Sequence, residues 1–125
     1  MEPGQPSHTA FRAAAHRAAH QDAEGGRIFA DPLAVRVLGQ APAAMFEDGL
    51  DAPATRGMRH LIAARSRFAE DALAAAVTKR GVRQYVLLGA GLDTFAHRNP
   101  FGDAGMRVFE VDHPATQAWK RRRLA

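Results

Sequence analysis

Residues 85–98 read "YVLLGAGLDTFAHR". An apolar run from Tyr85 to Leu88 breaks into Gly89-Ala90-Gly91 and continues as Leu92-Asp93-Thr94. An almost wholly apolar segment, Gln84 to Leu88, bounded by a glycine turn predicts a strand covered on both faces. The turn after it suits a loop that approaches a ligand, because glycine places no Cβ between backbone and ligand.

Working outward, "MRVFEVD" from Met106 to Asp112 predicts a second strand, and "FAHRNPFGDAG" between the two predicts a short helix and a turn. His113-Pro114 punctuates the second strand, and "ATQAWKRRRLA" opens a helix. Three helices are expected upstream. Thr9 is a candidate N-cap for the first, with Phe11, Ala14, Ala15 and Ala18 on one face and Gly25-Gly26 at its end. In "FADPLAVRVLGQ", Asp31 serves as N-cap, Pro32 takes the first helical position and Gly39 follows the end, with a stripe of Leu33, Val37 and Leu38. Ala41 to Thr55, rich in proline, glycine and acidic residues, reads as a connecting loop. The longest helix, Arg56 to Arg80, stops at Gly81 and carries a stripe of Met58, Leu61, Ile62, Phe68, Ala69, Ala72, Leu73 and Ala76.

This order predicts an α/β fold in which N-terminal helices precede the first strands of a doubly wound sheet. Residues 1–125 then form one domain, with 1–8 a loose lead-in, 9–80 helical and 81–125 the start of the sheet. A parallel pair leaves its edges bare, and open α/β sheets normally have more strands. The sequence also stops inside a periodic helix. The expectation is therefore the N-terminal part of a larger, apparently truncated protein.

Composition narrows the function classes. With 46% hydrophobic residues the chain can build a core, and with no cysteine it can hold neither a disulfide nor a thiolate zinc site. No apolar run approaches the roughly 18 residues that span a bilayer. The N-terminus has no contiguous apolar segment of the secretory kind, so a cytoplasmic location is expected. The net charge of +4 owes much to Lys120-Arg121-Arg122-Arg123, which reads as a solvated helix end. No aromatic residues are interleaved for stacking on bases, so nucleic acid is not an expected partner.

The chemistry lies at the strand ends, where ligands sit in parallel sheets. The dinucleotide fingerprint would require a third glycine at position 94, where Thr94 stands. Asp93 would repel a pyrophosphate placed there. Asp112, at the end of the second strand, follows Gly91 by 21 residues, the spacing at which a carboxylate receives ribose hydroxyls. Glu110, two residues earlier on the same side, could share that role. Arg65 falls inside the apolar stripe of the long helix. It either snorkels to the edge of that face or projects into a cleft to hold an anion. A nucleoside without a pyrophosphate, carrying a carboxylate tail, fits this set, and S-adenosylmethionine is such a molecule.

Together, "VLLGAGLDTFAHR" and "FEVDHPATQAWK", preceded by "ARSRFAED" and "FADPLA", resemble the leucine carboxyl methyltransferase-like group of class I S-adenosylmethionine-dependent methyltransferases. The resemblance runs over residues 9–125. It implies a Rossmann-like sheet and methyl transfer to a carboxylate or hydroxyl oxygen of a small molecule, as in bacterial secondary metabolism. By position it implies that Arg65 binds the methionine carboxylate, that Gly89 and Gly91 lie against the cofactor, and that Asp112 takes the ribose. Asp93 and Arg98 match positions that brace the loop, and Arg17 is the nearest match to a basic residue of the first helix that reaches the cofactor. Ser66 and Glu70 stand where relatives often have threonine and aspartate. The family's later strands, adenine contacts and most of its substrate pocket lie beyond the region of resemblance.

Other constellations are weaker. His16 and His20 at i, i+4, with Asp22 nearby, have a spacing that can hold a metal but fit a solvated helix face better. His97 and His113 could serve as bases beside the cleft, though loop structure accounts for both. No metal site or catalytic residue is assigned, and the oligomeric state is open. An NAD(P)-binding oxidoreductase fragment and a non-enzymatic basic interaction module remain as rival readings.

Overall fold

The computed structural model describes residues 3–125. Helices α1 (His8–Glu24), α2 (Ala34–Leu38) and α3 (Pro53–Arg80) precede strand β1 (Gln84–Leu88), strand β2 (Arg107–Val111) and helix α4 (Pro114–Leu124). The strands pair in parallel, with Val86 opposite Phe109 and Leu88 opposite Val111. The expected α/β order stands, with an all-helical N-terminal region and a two-stranded parallel sheet.

Local chemistry explains the element ends. Ser7, not Thr9, caps α1: its hydroxyl accepts from the Ala10 amide at 3.1 Å, so the helix starts earlier than its apolar pattern suggests. Gly25, Gly39 and Gly81 close their helices in the left-handed conformation. The sequence places Pro32 at the first position of α2, but the helix begins at Ala34. Asp31 instead caps the preceding turn, accepting the Leu33 amide at 3.0 Å. Pro53 occupies the first turn of α3, which starts three residues before the expected Arg56. Between the strands there is no α-helix, only 3-10 turns at Phe95–His97 and Gly102–Ala104.

Two apolar clusters hold the chain together. In the larger, Ala14, Ala15, Ala18 and Ala19 of α1 meet Ala34, Val37 and Leu38 of α2, with Phe46 and Leu92. Alanine on α1 keeps the helix slender enough to sit centrally, which its complete burial there requires. Phe11 and Trp119 close the cluster edge to face, 5.1 Å between ring centres. The second cluster joins Leu73 and Val77 of α3 to Phe95 and Met106, with Tyr85 and Val108 of the sheet packed against it.

Two sequence expectations are corrected here. β1 is not covered on both faces: Val86, Leu88, Phe109 and Val111 form one exposed face, Leu88 being 78% accessible. The second cluster covers only the opposite face. The stripe expected on α3 also divides. Ile62, Leu73 and Ala76 are buried, whereas Met58, Leu61 and Phe68 are exposed and Arg59 and Ala63 are buried in their place. The buried side of α3 is turned toward α1, where Arg59 meets an acidic partner, and this rotates the expected stripe outward.

Candidate functional site

A cavity of about 570 Å³ opens at the carboxyl end of β1. It is walled by Ser7, Thr9, Ala10, Ala13 and Arg17 of the N-terminal segment and α1, by Arg65, Ser66 and Ala69 of α3, and by residues 85–93 and Asp112. All five residues singled out from the sequence (Arg17, Arg65, Gly89, Gly91 and Asp112) line this one cavity.

The glycine loop is stitched to the end of β2. The Gly89 and Ala90 amides both donate to the Val111 carbonyl, at 2.8 and 3.2 Å. The Gly91 amide donates to Asp112 Oδ2 at 2.7 Å. Gly89 and Gly91 have φ of 67° and 56°, so at both positions the turn needs a backbone conformation that residues with a Cβ avoid. Apart from Gly89 and its two chain neighbours, no heavy atom of the described residues lies within 4 Å of where a Cβ on Gly89 would stand. The left-handed backbone, and not crowding by the protein, accounts for glycine there.

Asp112 is half-buried and already engaged on both oxygens, since Oδ1 accepts the His113 amide at 2.6 Å. A carboxylate has about four acceptor positions, so two amides leave room for two further donors. Glu110 does not share this capacity. Its carboxylate is paired with the Lys120 ammonium at 2.5 Å, which corrects the expectation that either acid could serve.

The two arginines differ in kind. Arg17 is 7% exposed and donates to the Leu92 carbonyl at 2.8 Å. Burial lowers its pKa from the ordinary arginine value; Asp93 and Asp31 work against that shift, while Arg98 and Arg65 add to it by repulsion. Arg65 is exposed, lines the cavity and makes no hydrogen bond or ion pair among the described residues. An anion placed between these guanidinium groups would relieve their mutual repulsion and supply Arg65 with a partner.

Thr94 explains why the third glycine is missing. It is fully buried; its hydroxyl donates to Asp31 Oδ2 at 2.7 Å and in turn accepts from Arg98 Nε at 2.8 Å. Arg98 also grips both oxygens of Glu70, at 2.9 and 2.7 Å. Burial opposes the charge on Arg98, but Glu70 and Asp31 together raise its pKa above the ordinary arginine value. Asp93 caps the turn through the Phe95 amide at 2.8 Å. Asp93 and Arg98 thus brace the loop as the resemblance implies. Glu70 fills the acidic position, and its two carboxylate oxygens each accept one N–H of the Arg98 guanidinium.

The histidines lie elsewhere. His97 and His113 are exposed outside the cavity wall, and His113 caps α4 through the Ala115 amide. His16 and His20 are buried rather than solvated. His20 accepts the Ile28 and Phe29 amides on Nε2 and meets Glu24 through Nδ1, so it closes the turn after α1. Among the described residues no cluster of three or more His, Cys, Asp or Glu could hold a metal ion, and no helix is long and apolar enough to cross a membrane.

The chain is similar in sequence to known proteins. A protein of Mycolicibacterium paratuberculosis, provisionally named an S-adenosyl-L-methionine-dependent methyltransferase, is 39% identical over 94% of the chain and 40% of its own length. A protein of the same provisional name from Frankia alni is 38% identical over 82% of the chain and 37% of its own length. A Bacillus subtilis protein, again so named, is 59% identical over 35% of the chain and 14% of its own length. The chain thus spans less than half the length of these curated relatives. The family model described as leucine carboxyl methyltransferase matches residues 10–125. That span takes in the whole cavity wall except Ser7 and Thr9, and the chain belongs to the leucine carboxyl methyltransferase family.

Proposed function

We propose that the chain carries the cofactor-binding part of an S-adenosylmethionine-dependent methyltransferase whose acceptor is a carboxylate or hydroxyl oxygen of a small molecule. Arg65 is the observation that carries the proposal: a guanidinium without a protein partner among the described residues, in the same cavity as the left-handed glycine turn and Asp112. Arg65 would hold the carboxylate of the methionine tail with two parallel bonds, with Arg17 behind it. Asp112 would take ribose hydroxyls on its remaining acceptor positions. The bound cofactor supplies an electrophilic sulfonium methyl group for displacement by the acceptor oxygen. Such a displacement depends on proximity and alignment, and the chain's part is to fix one reactant against the strand ends.

The oxygen acceptor, secondary metabolism and a cytoplasmic setting belong to the proposal through the resemblance. The cofactor choice is supported by Thr94 and Asp93. The first is committed to Asp31 and Arg98, and the second puts negative charge beside the turn that a pyrophosphate would occupy. Calorimetry with S-adenosylmethionine and with NAD tests the proposal. Binding of the first is expected, weaker than in a protein of the relatives' full length, with little or no turnover. Binding of NAD alone would overturn it, and salt-dependent binding of nucleic acid alone would favour the basic interaction module.

A further inference from the structure

Lys120 opens the basic run at the C-terminus, yet it is 2% exposed, while Arg121, Arg122 and Arg123 face solvent. It is one helical turn beyond Thr116, which is equally buried. Its ammonium donates to the Asp93 carbonyl at 2.9 Å and to Glu110 Oε2 at 2.5 Å. Three elements meet at this one nitrogen: α4, β2 and the loop that follows β1.

We infer that Lys120 is a positioning residue that sets the seat of the glycine loop and leaves Asp112 as the one strand-end carboxylate free to receive a ligand. A buried ammonium needs a charge partner, and Glu110 supplies it. That pairing occupies the acid of β2 that lies one alternation before Asp112. The second bond fixes the Asp93 carbonyl. The Asp93 side chain caps the Phe95 amide, and its own amide donates to Ala90 at 3.1 Å. The loop is therefore held from both sides, by β2 at Gly89 to Gly91 and by α4 at Asp93. The consequence for cofactor binding rests on the proposed function, but the seating of the loop does not.

Amide hydrogen exchange of the 125-residue chain separates these two levels. Lys120→Met keeps the aliphatic stem and removes the donor, but it also strands Glu110. The double variant Lys120→Met/Glu110→Gln removes both charges. In the double variant, the Tm should return close to that of the parent, while the amides of Ala90, Asp93 and Phe95 should exchange at least tenfold faster than in the parent. The α1 amides should keep their parental rates. If Lys120→Met does not fold, the double variant alone decides. Parental exchange at all three loop amides in the double variant, or acceleration shared equally by α1, would overturn the assignment. A chain with a correctly seated loop that binds no S-adenosylmethionine would count against the cofactor proposal and leave the role of Lys120 intact.

Discussion

An exposed arginine ordinarily contributes little, because solvent already satisfies its guanidinium. Arg65 matters because of its place, beside a second cation and across from the glycine turn. Arg65→Ala should weaken S-adenosylmethionine binding by about 1–3 kcal/mol, roughly 5- to 150-fold in Kd by calorimetry, with an unchanged Tm. An unaltered Kd would return it to a solvated role. Thr94 is the opposite case, a small residue with no freedom. Thr94→Val strips a donor from buried Asp31 and an acceptor from Arg98, and should cost about 1–3 kcal/mol in chemical denaturation. Thr94→Gly would complete the dinucleotide fingerprint, yet it should lose similar stability and gain no NAD binding. The glycine turn and the acid that follows the second strand were legible from the sequence because both are local signals. The Asp31–Thr94–Arg98–Glu70 network was not, since its members are tens of residues apart and share no period. Lys120 was hidden beside three solvated arginines, because nothing local in the sequence separates it from them.

At the scale of elements, α1 is held to α3 by a charge cluster that no apolar pattern reveals. Glu24 accepts the Arg59 guanidinium on both oxygens, at 2.8 and 2.7 Å, and His20 at 2.8 Å. Arg59 is 1% exposed, so its pairing is obligatory. The Arg59 hydrogen bonds, with help from His20 and against the cost of burial, bring the Glu24 pKa down from 4.5 to about 2. The folded chain thus favours the ionised carboxylate more than the unfolded chain does. That contribution is complete above about pH 4.5 and is lost as pH falls through about 2. Denaturation followed across this range should show the parent losing stability steadily, and Glu24→Gln, already weakened at neutral pH, should show a flatter profile. The termination of the helices was legible, since Gly25, Gly39 and Gly81 sit where helices stop. The rotation of α3 was not, because a buried arginine turns a face inward that hydropathy assigns to solvent.

Over the molecule as a whole, the sheet has one covered and one bare face. Val86, Leu88, Phe109 and Val111 are exposed together, a contiguous apolar patch of the kind that binds hydrophobic dyes. The chain should enhance anilinonaphthalene sulfonate fluorescence, and Leu88→Lys/Val111→Lys should reduce that signal while leaving the Tm in place. An unchanged signal would locate dye binding elsewhere. The sequence shows these strands as apolar throughout, but apolarity alone does not say which faces the described chain itself covers.

The Arg17–Leu92 bond joins residues 75 positions apart, from the first helix to the loop after β1. A tie of such separation must pay for closing a long loop, which disfavours its early formation. In kinetic terms this tie is expected to close the cavity wall late. Arg17→Met should speed unfolding in stopped-flow experiments and scarcely alter refolding. Refolding slowed as much as unfolding is sped would instead place this tie among the early contacts.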